Sequence, residues 1–572
     1  MIEGSFMKAL FFGVIAEDVI FPFPQIEGAD AERVRELCGE VRRAFDGEID
    51  PRSIDEQAVI GAPAFAALRR LGLFGLSIPR EFGGLGLGAS AVARVIQEVA
   101  CFDASVAIVL CAHGELAARA ILLHGTPAQK QRLLPRLASG EVLGAFALAE
   151  RASGSDAGAI QLHAERVPEG DGWLLSGAKH WVTGGAYADL FVVFARTSRI
   201  DEGQKPRIAA LCVERGAGVE RGACHDLLGL RGSGNCDISF ERVALGSDAV
   251  LGEAGRGYRV AMETLSLARV ALAASLVGQA RSLVTESVLR VQKRRSFGRA
   301  IGEFPIIKDK IARMIADTYA IESMTHLCAG LADRGVEDAS LESAICRVAG
   351  AEALWRVLGD AMQIAAARGY VRPHRFERQL RDARVGFLVD ATNETLRCFI
   401  ALGGMQAPGR RLQEVGGSMR EPVKGFGLLR EFAVRKVREA LRRERITRVH
   451  PVLGREAVIF EQATDALGRA VERALRDHGT EIAEMQTIQM RVADTAIDLW
   501  ALAACLSRTS LAIEQRGEEG ARRKIDLTTM FANAAEARMQ RNLGRIFEND
   551  DELRKLIAAR AYADKGYPFD VI

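Results

Sequence analysis

The feature that most constrains this chain is a change of periodicity at about residue 143 and back again near 260. Between those points GWLLSGAKHWVTGG, ADLFVVFART, RIAALCVER and CDISFERVAL are short β-rich runs separated by Gly, Asp and Asn. They read as strands and turns. On either side apolar residues recur at three- and four-residue steps, in ERVRELCGEVRRAF, APAFAALRRLGLFG and ASAVARVIQEVACF before, and in YRVAMETLSLARVALAASLVGQARSLVTESVLRVQKRRSF after. That is helical spacing, closed by Gly or Pro. A small β domain is therefore inserted between helical parts.

At 572 residues the chain exceeds one ordinary core. Its shifts of pattern divide it into a helical domain (1–142), a β domain (143–260), a helical bundle (261–408), a basic Gly-containing segment (409–450) and a second helical unit (451–572). The long apolar run after 257 exceeds a mean helix, which predicts either a break or long helices packed side by side. Aromatics at 6% with 48% hydrophobic residues also favour a mostly helical protein.

Lys and Arg number 76 against 74 acidic residues, a net charge of +2 that gives no reason to expect nucleic acid. None of the ten Cys forms a CxxC, and the nine His show no HExxH. No metal site or disulfide framework is expected, and scattered thiols suit a reducing compartment. MIEGSFMKALFFG lacks the apolar run of a signal peptide, and no uncharged stretch reaches the roughly 18–20 residues of a spanning helix. The expectation is a cytoplasmic location, soluble or peripheral.

Five motifs stand in a fixed order: ALAERASGSDAGA (147–159), GAKHWVTGG (177–185), RRSFGRAIGEF (294–304), ERQLRDAR (377–384) and DATNETL (390–396). In order and spacing they resemble the acyl-CoA dehydrogenase family, over nearly the whole chain. VIFPFPQI, ALRRLGLFGLSIPREFGGLGLG, TNETLRCFIALGGMQ and the extra C-terminal unit look most like its very-long-chain branch. The resemblance implies a helical domain, a β-barrel-like domain, a four-helix bundle and a C-terminal helical domain. It also implies FAD, an acyl thioester substrate (on CoA or a carrier protein), an electron-transfer flavoprotein as acceptor, and a homodimer or higher oligomer. In the family a carboxylate removes the proton next to the thioester carbonyl, and hydride leaves the neighbouring carbon for the flavin. A Cα–H is too weak an acid unless donors hold the carbonyl oxygen as it gains charge. The family uses a flavin hydroxyl and the backbone N–H of the base residue, here Asp390.

Carried over residue by residue, the resemblance places Leu148, Gly154, Ser155, Trp181, Thr183, Gln363, Ala366, Ala367, Thr392 and Glu394 at the cofactor. Arg294 and Phe297 match residues that reach FAD across a subunit boundary. Ser155, Ser266 and Arg269 match substrate-side positions, Arg269 lying behind the catalytic region.

Four departures cluster at this site. The family's Thr-Glu-Pro is Ala149-Glu150-Arg151, a Gly pair is Ala366-Ala367, an Asp near the pantetheine is Ser266, and Glu-Gly-Thr is Asp390-Ala391-Thr392. Ala can replace Gly against a pyrophosphate only with negative φ. Some relatives carry the base just before the arginine matched by Arg269, but that residue is Ala268. Asp390 is then the sole base candidate, one methylene short, and a misplacement of about 1 Å can cost roughly 10²-fold. Three readings stay open: slow turnover of ordinary acyl thioesters, a substrate that is bulkier or more acidic at Cα (as for a flavin oxidase), or a silent scaffold.

Finally, residues 423–446 can form an apolar stripe (Val423, Phe426, Leu429, Phe432) beside a basic face (Lys424, Arg430, Arg435, Lys436). This resembles an interfacial helix and predicts peripheral membrane contact.

Overall fold

The computed structural model describes residues 5–168, 170–197, 207–372, 374–420 and 444–570. Residues 423–443 of the expected interfacial segment lie outside these. The chain forms two compact units, residues 20–396 and residues 1–19 with 397–572.

The first unit opens with helices α1 (Gly28–Gly47), α2 (Ala62–Arg70), α3 (Ala89–Ala100), α4 (Ala104–His124) and α5 (Pro127–Ala138). Local chemistry sets their ends. The Asp103 carboxylate accepts from Val106 N at 2.8 Å, capping α4. Before α5, Thr126 Oγ1 accepts from Gln129 N (3.2 Å) while Gln129 Oε1 accepts from Thr126 N (2.8 Å), with Pro127 at the first helical position. This reciprocal cap satisfies two otherwise orphaned donors.

The β-rich stretch forms one mixed eight-stranded sheet. Its strands are β1 (Gly144–Ala147), β2 (His163–Arg166), β3 (Trp173–Val182), β4 (Leu190–Arg196), β5 (Ile208–Glu214), β6 (Val219–Cys224), β7 (Cys236–Leu245) and β8 (Val250–Leu251), in the order β6-β7-β3-β2-β4-β5-β8, with β1 pairing β4. The strands that position the site are β1, β3 and β7. β3 and β7 are antiparallel, with a register shift between Lys179 and Val182. A bulge there re-aims the residues that follow. Leu162, Trp173, Leu175, Phe191, Leu211 and Phe240 fill the core beneath.

The bundle comprises α6 (Gly257–Lys293), α7 (Pro305–Asp333), α8 (Ser340–Ala365) and α9 (Arg375–Arg384); α10 (Asn393–Arg420) starts at the end of this unit, and its residues from Arg397 onward belong to the second. The run expected to break or to pack in a bundle is one unbroken helix of 37 residues, α6, buried along most of its length. It has neighbours on several sides, so apolar residues all round it are satisfied. Between α6 and α7 a hairpin pairs Arg295–Ser296 with Arg299–Ala300.

In the second unit Phe6 packs against Phe460 (ring centroids 6.3 Å apart) and Trp500 (5.8 Å). This joins the N-terminal residues to α11 (Gly454–His478) and α12 (Gln486–Gly544), the latter interrupted at Gly517. α4, α6 and α12 are each long and apolar enough to cross a membrane by length and composition, and most of each apolar window is buried inside the protein.

Candidate active site

The strip from Val385 to Thr392 links α9 to α10 and is held from behind by Arg347 of α8. Arg347 is fully buried. Its Nη2 donates to the carbonyls of Val389 and, at 3.0 Å, Ala391; its Nη1 donates to Asn393 Oδ1 at 2.6 Å. The two carbonyls flank Asp390, so the guanidinium grips the strip on both sides of the candidate base. Burial pushes the Arg347 pKa down to about 10, with Asp390 opposing and Arg269 adding to the shift.

Asp390 adopts φ 71°, and its side chain turns inward to an ion pair with Arg269 (Oδ2 to Nε 2.6 Å). Asp is among the few residues that tolerate the left-handed region. Arg269 is only 6% exposed, which places it inside the bundle rather than on a helix surface. The backbone N–H groups of Asp390 and Ala391 have no backbone or side-chain acceptor among the described residues. Thr392 caps α10, its Oγ1 accepting from Thr395 N at 3.3 Å, and Glu394 stands exposed in the first turn. Ser266, on α6, lies 3.4 Å from Ser343 Oγ.

A second group gathers at the end of β3. Trp181 has φ 59° and is 57% exposed. One face of its ring lies on His225 (centroids 4.3 Å, 35°). Asp237 organises the group: it lies 2.9 Å from His225 Nε2 and 2.8 Å from His180 Nδ1, and accepts from Trp181 N at 3.4 Å. Both imidazoles hold the Asp237 carboxyl below its ordinary range against the opposing effect of burial. Asn235 Nδ2 donates to Trp181 O (3.0 Å) and Thr183 Oγ1 (3.4 Å), tying the two motif residues together.

The neighbouring loop is pinned from below. Lys179, fully buried, donates to Leu148 O (2.9 Å) and Glu150 Oε1 (2.7 Å), and Glu150 also accepts from Gln161 N and Leu162 N. Burial pushes Lys179 down to about 8, and Glu150 offsets part of that. Gly154 and Ser155 are exposed on the loop this pair supports. The two groups meet through residues 228–230. Arg381 Nη1 donates to Leu228 O at 3.1 Å, and Leu230 N donates to Asp382 Oδ1 at 2.6 Å. Gly229 lies so close to α9 that an added Cβ would sit 2.2 Å from the Arg381 carbonyl carbon.

Gln363, Ala366 and Ala367 are exposed together where α8 ends. Here the expectation of negative φ fails at Ala366, which has φ 53° and ψ −139°. Arg290 explains how the turn is held: its Nε and Nη2 donate to Ile364 O (3.2 Å) and Ala365 O (2.7 Å). Burial and the nearby charges of Arg368 and Arg294 keep the Arg290 pKa below its ordinary value. Arg294 closes α6, and Phe297 at the hairpin tip has φ 49° and is 94% exposed.

Sequence reasoning missed Arg347, Glu150, Lys179 and Asp237. Arg347 sits in AICRVAG, where an Arg among small apolar residues was the available signal. A wide cleft of about 940 Å³ borders the junction at Leu228, lined also by Arg52, Arg231 and Arg381. Arg231 is paired there with Asp226, and Arg381 with Asp55 and Glu377, so it reads as a solvated ion-pair surface.

Four family descriptions match in order: acyl-CoA dehydrogenase N-terminal domain (31–141), middle domain (145–243), C-terminal domain (255–404), and ACAD9/ACADV C-terminal domain (451–566). The very long-chain specific acyl-CoA dehydrogenase of Macaca fascicularis is 36% identical over 542 residues, covering 93% of this chain and 82% of that protein. Among solved structures, the acyl-CoA dehydrogenase complexed with FAD from Bacillus anthracis superposes with a TM-score of 0.78 at 25% identity, covering 100% of this chain and 97% of that one. A chain described as the electron transferring flavoprotein of Acidaminococcus fermentans matches with a TM-score of 0.62 at 28% identity, over 67% of this chain and 98% of that one. With the fold, the motif order and these likenesses in agreement, the chain belongs to the acyl-CoA dehydrogenase family of FAD-dependent oxidoreductases.

Proposed function

We propose that the protein dehydrogenates an acyl thioester between its α and β carbons, with Asp390 as the base and FAD as the cofactor. The observation that carries this reading is the strip itself: a carboxylate on a residue whose own N–H is left without an acceptor, clamped on both sides by Arg347. The surfaces suit FAD. Trp181 offers an open aromatic face, a Cβ at Gly154 would meet nothing within 4 Å, and Arg290, Arg294 and Arg368 concentrate positive charge beside the end of α8 for a pyrophosphate.

FAD, when bound, supplies the two-electron acceptor for the hydride leaving the β carbon. The Asp390 carboxylate takes the α proton, and the Asp390 N–H donates to the thioester oxygen as negative charge grows there. Arg347 keeps that N–H in place. In this arrangement the carboxylate must give up part of its contact with Arg269 to reach substrate. A side chain one methylene shorter than Glu does so at a cost in rate, which favours slow turnover of ordinary acyl thioesters.

The acceptor proposed is an electron-transfer flavoprotein, and the exposed Phe297 hairpin supports a homodimer in which each chain completes its partner's cofactor site. We place the protein in the cytoplasm with peripheral membrane attachment through 423–446; co-sedimentation with anionic vesicles that persists after deletion of 423–446 overturns the attachment. One observation favours a second reading, a silent scaffold: the Asp390 side chain is buried against Arg269. The deciding experiment is the absorbance spectrum of purified protein followed by anaerobic titration with acyl thioesters. Yellow protein whose flavin bleaches supports the enzyme; protein that binds FAD but is bleached by no thioester leaves the scaffold.

A further inference from the structure

We infer that Cys224 and Cys236 form a reversible disulfide, a modification site for small disulfides such as oxidised glutathione. The site lies on the strand ends that carry His225, Asn235 and Asp237, and it stands apart from the dehydrogenase reading.

A bulge brings the two cysteines together. Along β6 and β7, Val219, Glu220 and Arg221 face Phe240, Ser239 and Ile238. Continued unchanged, that register would set Cys224 opposite Asn235. A shift between Arg221 and Cys224 places it opposite Cys236 instead. The bond from His225 N to Asn235 O (2.9 Å) then makes Cys224 and Cys236 a pair with no backbone hydrogen bond between them. In such pairs the Cα atoms lie about 4.5 Å apart and the side chains on one face approach most closely. A disulfide takes Cα atoms about 4.4–6.8 Å apart, so bridging asks for no change of register.

Their surroundings divide the labour between them. β6 stands at one end of the sheet order, and Cys224 on it is exposed. Cys236 is fully buried, its Sγ 3.0 Å from where a Cβ on Gly185 would stand, beside the turn that follows Thr183. Burial, and then the nearness of Cys224, pushes the Cys236 thiol up to about 11. Cys224 is therefore the thiol that meets the oxidant, and Cys236 the one that completes the bond. Cys328 and Cys346 are buried in the bundle, out of reach of a small disulfide. In a reducing compartment the two thiols are the resting state, and the disulfides that do form there are transient and redox-sensing.

The chemistry is a pair of thiol–disulfide exchanges. The Cys224 thiolate attacks one sulfur of glutathione disulfide, whose S–S bond breaks and releases a glutathione thiolate. Cys236 then attacks the Cys224 sulfur of the mixed disulfide, and the second glutathione leaves with the Cys236 proton. Both protein thiols are oxidised, and one glutathione disulfide is reduced to two glutathiones. The new bond closes the base of the loop 225–235. Within that loop Leu228 and Leu230 meet α9, and Asn235 ties Trp181 to Thr183.

The test incubates the FAD-loaded protein with glutathione disulfide, alkylates the remaining thiols and maps tryptic peptides by mass spectrometry. Arg231 lies between the two cysteines, so trypsin leaves them on separate peptides that only a disulfide joins. The joined peptide should appear and be lost on treatment with dithiothreitol, while Cys328 and Cys346 are recovered as free thiols. Cys236→Ser should stop at glutathione held on Cys224, and Cys224→Ser should leave Cys236 unreacted. Glutathione held on Cys224 of the parent with no joined peptide overturns the inference. So does a Cys224 that stays free, or a joined peptide that forms only when Cys328 and Cys346 also react.

Discussion

Asp390 Oδ2 lies 2.6 Å from Arg269 Nε, and 2% of the Asp390 side chain is exposed. A carboxylate so placed is directed away from solvent and tied to a buried guanidinium. Its reach toward a substrate is therefore set by that contact. Asp390→Asn should abolish flavin reduction by acyl thioesters while leaving FAD binding within a few-fold of the parent. Asp390→Glu should speed reduction by a straight-chain thioester about 10–100-fold by restoring reach. Stopped-flow bleaching of the flavin's visible absorbance measures both. Reduction of Asp390→Asn as fast as the parent means that another group is the base.

Arg347 should prove to be a positioning residue. Arg347→Met leaves the Val389 and Ala391 carbonyls and Asn393 without their donor inside the bundle. A loss of about 2–4 kcal/mol in chemical denaturation is expected, within the range for broken buried polar networks. Arg347→Lys keeps charge but not the three-way geometry, so it should recover part of the stability and less of the rate. A Lys variant with parental kcat would show that the strip needs no clamp.

Ala366 carries a side chain where the backbone sits at φ 53° and ψ −139°. Non-Gly residues in such regions cost about 1–3 kcal/mol, and Gly gives back about 0.5–1 kcal/mol through unfolded-chain entropy. Ala366→Gly should therefore stabilise the protein by about 1 kcal/mol and tighten FAD binding several-fold. Denaturation and FAD titration are the measurements, and a lower melting temperature in the variant would contradict the strain.

Asp382 provides a pH-dependent stability. Burial, aided by the Asp103 carboxylate, raises its pKa to about 7 from an ordinary 3.8. The folded state thus holds a proton that the unfolded state releases between those values, so the stabilisation is complete below about pH 4 and is lost as pH rises through about 7. Asp382→Asn still accepts from Leu230 N and is neutral throughout. It should be more stable than the parent at pH 8, by up to a few kcal/mol at about 1.4 kcal/mol per unit, with the gap closing toward pH 5. A constant gap would assign the ionisation elsewhere.

Much of the architecture could be read from the chain, and the reasons are physical. Strands such as Leu190–Arg196 and Ile208–Glu214 are continuous apolar runs because both faces are buried, and helices such as Ala89–Ala100 show one apolar face. What escaped was decided by tertiary contact. No periodicity distinguishes Arg347, buried and holding backbone carbonyls, from an Arg on a helix surface. The sign of φ at Ala366 depends on Arg290, 76 positions earlier in the chain, taking the last carbonyls of α8. The inward turn of Asp390 likewise depends on a partner 121 residues away.

The hairpin that lifts Phe297 almost wholly into solvent has a consequence for how this protein behaves in the test tube. If that ring belongs to a neighbouring chain's cofactor site, then subunit association and FAD capture are linked reactions. Dilution should pull flavin off, and excess flavin should hold subunits together, each by the same factor. The yellow colour of a preparation then reports its protein concentration as much as its purity, and material that runs colourless from a dilute column can recover its flavin on concentration with FAD.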